Sequence, residues 1–176
     1  VDVANLHLSD MNLHLTNFAV VRGAVWMDIE RLSARDRSGF DIQELTSHLY
    51  VNQGEIAFDG LNLVTESSSL YSPKLELRGD SWVSYSSFAR DVELTMGFEH
   101  SQLSTKDIAY FVPSLHEHDV EVTNLSATVD GTLSDMECKI KRAKIDRDIE
   151  LALNCRVDGL PDWREARYVV GVERLY

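Results

Sequence analysis

The chain has 176 residues and a net charge of −12, with 29 acidic and 17 basic residues. The acidic residues are scattered along the chain and would repel phosphates, so we expect no nucleic-acid partner. Two cysteines are too few for a disulfide framework, and no apolar run approaches the ~18 residues of a membrane-spanning helix. We therefore treat residues 1–176 as one unit, with a possible sub-break at residues 100–118.

The first predicted elements lie in residues 3–22. Two short runs alternate between apolar and polar residues, Leu6/Leu8 and Leu13 to Val20, and they close at Arg22-Gly23. The alternation is already under way at the first residues. We therefore expect an excised segment of a longer protein, with any membrane anchor outside this segment.

Residues 25–70 carry the strongest pattern in the chain. Apolar residues recur at every second position, which places them on one face of a pleated strand. Ser38-Gly39 and Gln53-Gly54 separate the runs, and glycine supplies the positive φ of a tight turn. The stretch predicts three antiparallel strands with one apolar face. Its apolar positions are Val25, Met27, Ile29, Phe40, Ile42, Leu49, Val51, Ile56, Phe58, Leu61 and Leu63.

The alternation slips by one residue at several places. A spacing of three would turn a straight strand's side chains to the wrong face, and a β-bulge restores the facing while it bends the strand. Bent strands laid side by side form a trough. The slips are Leu15/Phe18, Ile29/Leu32, Ile42/Leu45, Phe58/Leu61, Val122/Leu125 and Ile140/Ala143.

Residues 66–98 are less regular. Leu75 and Leu77 alternate and indicate a strand, whereas residues 84–90 suggest a turn or one helical turn. Alternating apolar residues from Val92 to Phe98 then predict a clear strand.

The alternation of apolar and polar residues stops at residues 104–113. Ser104 can cap a helix, Asp107 lies in its first turn, and Pro113 ends it, so we expect one short helix near residues 105–112. Such a helix presents Ile108, Phe111 and Val112 along one side. We expect these side chains to plug or cover part of the trough; a gate is the functional alternative.

Strand alternation returns after residue 119 and continues to Val172. With a turn at Asp146-Arg147-Asp148 and one bulge at Lys141-Arg142, Cys138 lies opposite Cys155. Roughly twelve strands spaced by about 4.8 Å predict a trough about 55 Å long.

The predicted fold is all-β: an elongated, mostly antiparallel, bent sheet that forms an open trough. Once the bulges are counted, a set of apolar residues faces the same way and provides the candidate lining of the trough. These are Leu49, Phe58, Leu63, Leu94, Phe98, Val122, Ile140, Leu151 and Leu153.

The sequence offers one cluster of metal-ligand types, His116-Glu117-His118-Asp119. It follows Pro113 in a predicted loop without further ligands nearby, so we interpret it as a solvated loop rather than a metal site. No nucleophile elbow, zinc-protease motif, phosphate loop or dinucleotide fingerprint occurs, and the carboxylates do not converge in pairs. We expect neither an enzyme nor a cofactor.

Several stretches resemble the TamB proteins of Bacteroidetes, in the order that the family has them. They cover most of the chain, and each is weak alone. The matching pieces are S-G-F-x-I-x-x-L at Ser38–Leu45, I-x-F-x-x-L-x-L-x-T at Ile56–Thr65, S-x-L at Ser68–Leu70, D-I-A-Y-F-V-P-S-L at Asp107–Leu115, V-D-G-T-L-S-D-M at Val129–Met136 and G-L-P-D at Gly159–Asp162.

The resemblance implies a segment of an AsmA-like bridge protein built as a folded trough, the β-taco. Such proteins are anchored in the inner membrane of Gram-negative bacteria and cross the periplasm. They are linked to phospholipid transport to the outer membrane, and to outer-membrane protein assembly with a BamA-like partner. The implied partner of this segment is phospholipid, whereas the anchor and the docking region for the BamA-like protein would lie outside it.

Other classes fit parts of the pattern. A chaperone-like scaffold could hold nascent outer-membrane strands on open sheet edges by β-augmentation. A transmembrane barrel also alternates, and the ending Tyr168–Tyr176 resembles a barrel's final strand, but aromatic girdles are not evident. A closed β-sandwich would have a filled core and no lipid site.

Overall fold

Alternating apolar and polar residues, scarce proline and glycine-containing turns favour long paired strands, and the chain folds accordingly. The computed structural model describes residues 8–37, 39–110, 117, 119–146, 149–160 and 165–175. Ten strands of this part form one open antiparallel sheet in chain order, which confirms the all-β prediction. The strands are β1 Leu8–Val21, β2 Ala24–Asp36, β3 Asp41–Asn52, β4 Glu55–Thr65, β5 Ser69–Arg78, β6 Glu93–Ser104, β7 Glu121–Thr132, β8 Asp135–Ile145, β9 Ile149–Asp158 and β10 Arg167–Leu175.

The described part of the sheet has ten strands, compared with the roughly twelve expected. One expected strand is absent because Leu8 and the run from Leu13 to Val20 belong to the single long strand β1. The break in alternation that suggested two strands lies near Asp10, where β1 has a positive φ of 51° and its register shifts. Nine spacings of about 4.8 Å make the sheet about 43 Å across instead of 55 Å.

The predicted turn glycines have the backbone conformation that the hairpins require. Arg22 and Gly23 have φ of 52° and 84°, which is a type I′ turn between β1 and β2. Gly54 has a φ of 71°, and a Cβ there would collide with the carbonyl oxygen of Gly79 in the neighbouring turn. Only glycine fits this close approach of two turns.

The predicted bulges are present, and all except the one at Ile42/Leu45, near the start of β3, lie along one line that crosses the sheet, which we call the crease. Asp28 of β2 is opposite His48 of β3, and His48 is opposite Asp59 beside Gly60 of β4. Strand β4 bends there without losing register with β5, because Gly60 has a φ of 62°. The sheet is therefore folded along its middle. Register shifts mark the bends at Thr16/Ala19, Ile29/Leu32, Ile42/Glu44, Thr46/His48, Phe98/Ser101, Thr123/Ser126, Ile140/Ala143 and Val172/Arg174.

Left-handed residues produce several of these bends. Asn17, His100 and Asn124 have φ of 52°, 48° and 50° in the middle of β1, β6 and β7. Asparagine and histidine tolerate this conformation better than other side chains do. Their side chains also reach across the strands: Asn17 Nδ2 donates to Asp28 Oδ2 at 2.5 Å, and His100 Nδ1 lies 3.4 Å from Asn124 Oδ1.

The buried core lies on the inner side of the crease. Leu125, Ala127 and Ala143 form a buried cluster. Phe98 and Leu103 lie on opposite sides of the bulge in β6, yet both pack against this cluster. The two halves of the bent strand therefore present their apolar side chains to the same side, as the bulge prediction requires.

A helical segment closes one end of the sheet between β5 and β6. It consists of a 3-10 helix, Trp82–Ser87, and the short helix α1, Phe88–Asp91, which agrees with the helical alternative predicted for residues 84–90. The hydroxyl of Tyr85 donates to the carbonyl oxygens of Gly54 and Leu77, both at 3.1 Å. The backbone N–H and the hydroxyl of Ser134 both donate to the carbonyl oxygen of Ala89. The segment thus ties together the β3–β4 turn, strand β5 and the β7–β8 turn at this end.

The predicted helix after Ser104 is present but has a single turn, α2 Thr105–Ile108. Ser104 caps it as predicted, since its hydroxyl accepts from the backbone N–H of Lys106 at 3.2 Å. Hydrogen bonds between Thr105 and Val120 join the start of α2 to the residue that precedes β7. The helix closes the end of the sheet opposite to the 3-10 helix.

Candidate functional site

One face of the sheet is crossed by continuous rows of apolar side chains, and we call it the apolar face. In the first of these rows, each residue is the direct cross-strand partner of the next from β2 to β10, and no charged residue interrupts it. The row consists of Met27, Leu49, Phe58, Leu75, Met96, Val129, Cys138, Cys155 and Val170. A second row, nearer the turns, runs through Val20, Val25, Val51, Ile56, Leu77, Leu94, Gly131, Met136, Val157 and Tyr168.

All nine candidate lining residues are half-buried. Phe98, Val122, Ile140 and Leu151 pack against the buried cluster at the crease, and Leu153 is the cross-strand partner of Ile140. The remaining four lie further along the face: Leu49 is opposite Phe58, Leu63 is opposite Leu45 and Leu70, and Leu94 is opposite Leu77. All described strands belong to the same sheet, so no second sheet of the described chain covers this face.

The opposite face is polar and contains the ion pairs. Arg156 lies 2.8 Å from Asp135 and 3.6 Å from Glu137, and Arg78 lies 3.3 Å from Glu55. Hydrogen bonding to Asp135 is the main cause that raises the pKa of Arg156. Charged groups keep their hydration on this side while the apolar residues gather on the other.

The polar side of the crease carries a histidine–aspartate pair. His48 Nδ1 lies 2.6 Å from Asp28 Oδ1, and Asp28 also accepts from Asn17. The hydrogen bond from Asn17 is the largest cause that lowers the pKa of Asp28, followed by the one from His48. The hydrogen bond to Asp28 in turn raises the pKa of His48. The pair joins three strands at the line where the sheet bends.

The two cysteines are direct cross-strand partners, as predicted, and the hairpin register agrees residue by residue. Ile145 pairs with Ile149, Ala143 with Leu151, Ile140 with Leu153 and Cys138 with Cys155, with one bulge between Ile140 and Ala143. Both thiols are free and half-buried. Burial raises the pKa of the Cys138 thiol, with a smaller effect from Cys155. The pair therefore behaves as two small apolar side chains in the row.

The hydrogen-bond alternation places this pair at a hydrogen-bonded position of the ladder. The backbone N–H of Gly159 donates to Ser134 at 2.8 Å, so the carbonyl of Ser134 points toward β9. Backbone groups alternate in direction along an antiparallel strand, and those of Cys138, four residues on, also point toward β9. Hydrogen-bonded pairs have the larger Cα separation, about 5.5 Å, which lies within the range that disulfides span.

The predicted plug is only partly within the described residues. Ile108 is half-buried in α2, whereas Phe111 and Val112 lie outside the described residues, so the plug remains a prediction. His116 and His118 of the metal-ligand cluster also lie outside them. Among the residues described, no group of three or more His, Cys, Asp or Glu side chains could hold a metal ion.

Two groups of residues on the inner side of the sheet were not among the candidate lining residues. Met27, Leu75 and Met96 belong to the row from Met27 to Val170, and their alternation with neighbouring polar residues was a sufficient signal. Ser47, Ser72 and Ser101 are buried along the crease, at 6, 2 and 1% exposure. Serine gives no apolar signal in a sequence, although a small side chain is what the inside of a bend can hold.

Comparison of the chain with family models, curated proteins and solved structures finds no match. In the part of the chain that the structure describes, no helix has the length and apolar character needed to cross a membrane.

Proposed function

We propose that this chain carries lipid acyl chains along its apolar face. The observation that supports this most directly is the unbroken cross-strand row from Met27 to Val170. Its interior members are half-buried, with the exception of buried Val129. The core of a closed sandwich would bury such residues completely, whereas a trough leaves them accessible to a ligand.

The energetics favour movement of an acyl chain along the apolar face. Each CH₂ group gains about 0.8 kcal/mol when it leaves water, and a continuous apolar surface offers this gain at every position. An acyl chain therefore moves from one strand to the next without a large barrier, while its headgroup stays in water at the open side. Neither catalysis nor a cofactor is required for this movement.

The resemblance to TamB proteins supplies the proposed setting. In that setting the chain is a periplasmic segment of an envelope protein, with an anchor in the inner membrane and a BamA-like partner contacted by other segments. The lipid would be a phospholipid on its way between the two membranes. Within this setting, binding of lipid to the apolar face is the part that experiments on the present chain can test.

The experiment is a photocrosslinker placed at Leu153. This residue is half-buried on the apolar face, opposite Ile140 and two residues from Cys155. The matched control is the same crosslinker at Lys139, an exposed residue on the polar face of the adjacent strand. We expect lipid adducts in cells at Leu153 and not at Lys139. Native mass spectrometry of the purified chain identifies the lipid.

A charged residue at position 153 distinguishes an open lipid conduit from the core of a closed sandwich. In an open trough the carboxylate of Leu153→Asp reaches water, so the chain stays folded by circular dichroism but loses its lipid. If Leu153→Asp unfolds the chain, or if equal adducts form at Leu153 and Lys139, the proposal is wrong.

A second candidate is supported by the two open edges, β1 and β10, which have no strand partner beyond them in the described sheet. A scaffold could hold nascent outer-membrane strands there by β-augmentation. Polypeptide adducts from a crosslinker at Val169 on β10, without lipid adducts at Leu153, would favour this function over the conduit.

A further inference from the structure

The bulge in β8 brings two adjacent cations to the polar face of the sheet. Ile140 and Ala143 both face the apolar side, because Ala143 belongs to the buried cluster and Ile140 packs against it. A regular strand has one outward residue between two such positions, whereas the bulge has two, Lys141 and Arg142. Both side chains are exposed. The bend of the strand thus doubles the positive charge at this point.

A second bulge, in β10, brings an arginine to the same place. The register of β10 shifts between Val172 and Arg174, and the extra residue is Glu173. Glu173 accepts a hydrogen bond from Asn154 Nδ2 at 2.8 Å. Arg174 is opposite Ala152, which is the residue of β9 that faces the bulge of β8. Cations from two strands therefore approach the same small residue from opposite sides.

A hollow of about 120 Å³ lies between these side chains, and we call it the basic hollow. Ala152 is buried and has only a methyl group, so the space above it stays open between its longer neighbours. The volume is several times what one water molecule needs, which suits a ligand group of a few atoms. The lining consists of Lys141, Arg142, Glu150, Leu151, Ala152 and Arg174.

The cations of the basic hollow have no counter-ion among the described residues. Lys141, Arg142 and Arg174 make no ion pair or hydrogen bond within the described part of the chain. The one carboxylate of the lining, that of Glu150, lies 3.3 Å from Lys144. Three cations around one small space repel one another, and a bound anion would relieve this repulsion.

From these observations we propose that the basic hollow binds a single phosphate monoester group. Three cations and one carboxylate give its lining a net charge of +2, which matches the charge of about −1.5 to −2 on such a group at neutral pH. A carboxylate ligand would neutralise only half of this charge. Guanidinium groups form paired hydrogen bonds to phosphate oxygens, and the lining has two of them beside the ammonium of Lys141.

The rest of the chain limits what can carry the phosphate. Its net charge of −12 repels an extended polyanion, so the ligand is one phosphate group and not a nucleic acid. That group belongs either to a soluble ester or to a lipid headgroup. The basic hollow lies on the polar face, so this inference does not depend on lipid binding at the apolar face.

An NMR titration with glycerol 3-phosphate at constant ionic strength tests the site. We expect saturable shifts of the backbone amides of Ala152 and Arg174, and none with glycerol. Arg142→Gln and Arg174→Gln should each weaken binding by about tenfold, because each removes a charged hydrogen-bond donor from the phosphate. The matched control is Arg167→Gln, which removes an exposed arginine of β10 outside the hollow and should bind as the parent does.

Filling the space distinguishes a shaped site from a patch of positive charge. Ala152→Val keeps every charge and places a larger side chain in the hollow, so it should also weaken binding by about tenfold. Circular dichroism checks that the variant is folded. Because Arg142 is exposed, Arg142→Gln gives a second test that does not disturb the packing.

Vesicles identify the source of the phosphate. The arms are phosphatidylcholine vesicles with and without phosphatidic acid. Sedimentation of the chain only with phosphatidic acid, lost in Arg142→Gln, would assign the phosphate to a lipid headgroup. Binding of glycerol 3-phosphate without sedimentation would assign it to a soluble ester.

Three results would overturn the proposal. They are binding of neither probe, equal weakening by Arg142→Gln and Arg167→Gln, and an Ala152→Val variant that is folded and binds as the parent does. Lipid adducts at Leu153 that persist in Arg142→Gln would show that the conduit stands or falls separately from the basic hollow.

Discussion

The buried carboxylate of Asp107 accepts a hydrogen bond from the hydroxyl of Ser68 at 2.5 Å. It also accepts from the hydroxyl of Thr65 at 2.6 Å, and the Ser68 hydroxyl accepts from the backbone N–H of Ser104 at 3.0 Å. All four residues are buried. This network fastens α2 to the turn between β4 and β5 and so closes that end of the sheet.

Asp107→Ala should therefore be strongly destabilising. It leaves two buried hydroxyls without their acceptor, and we expect a loss of about 2–4 kcal/mol in the free energy of unfolding, measured by urea titration. The control is Asp119→Ala, which removes an exposed carboxylate that lies 3.1 Å from Lys106 and should change stability by less than about 1 kcal/mol. Equal effects of the two substitutions would mean that the network does not hold the helix.

Two glycines provide a test of the bend in β4. Gly60 has a φ of 62°, and a Cβ at this position meets no atom within 4 Å. Gly60→Ala should therefore cost about 1–2 kcal/mol through backbone strain alone. Gly97 of β6 is equally open but has no positive φ, so Gly97→Ala should be neutral or stabilise by up to about 1 kcal/mol. Thermal unfolding of both variants measures the difference, and a neutral Gly60→Ala would contradict the left-handed bend.

The His48–Asp28 pair predicts a shifted titration. The hydrogen bond to Asp28 raises the pKa of His48 above its ordinary 6.5, and Asp28→Asn should lower it toward that value. Because the folded-state pKa is the higher one, the pair's stabilisation is present below about pH 6.5 and is lost as the pH rises through the folded pKa. Histidine NMR titrations of the parent and variant measure the change. Glu44→Gln, on the same strand, should leave the His48 titration unchanged.

The cysteine pair should resist oxidation. Burial raises the pKa of the Cys138 thiol, and because the thiolate is the reactive form, oxidation of the folded chain should be slow. After overnight exposure of the folded chain to oxidised glutathione, a thiol assay should still find two free thiols. In a denaturant they should oxidise within the same time. A rapidly formed intramolecular disulfide in the folded chain would show that burial does not protect the thiols.

The sequence was informative wherever side chains alternate. The slip between Ile140 and Ala143, taken with the turn after Ile145, was enough to place Cys138 opposite Cys155 without any structure. The reason is physical: one face of the sheet is apolar, and a register error of one residue would turn a whole strand around. The trough and most of its lining follow from the same rule.

Other features have no such signal in the sequence. The network around Asp107 consists of small polar residues that resemble any loop, and they become a unit only when β4, β5 and α2 meet. The left-handed conformations of Asn17, His100 and Asn124 are equally hidden, because asparagine and histidine occur in many ordinary strand positions. One strand too many was expected in residues 3–22 because a bulge near Asp10 interrupts the alternation as a turn does.

The simple order of the sheet determines how the molecule comes apart. Each strand pairs only with the strands before and after it along the chain, so contacts are formed between segments that are close in sequence. Force applied to the two termini would act on β1 and β10 first and peel the strands away one hairpin at a time, as it does in linear repeat proteins. Folding should proceed the same way in reverse, by rapid addition of neighbouring hairpins. A bent meander of this kind can gain or lose whole hairpins while the cross-section of the sheet stays the same.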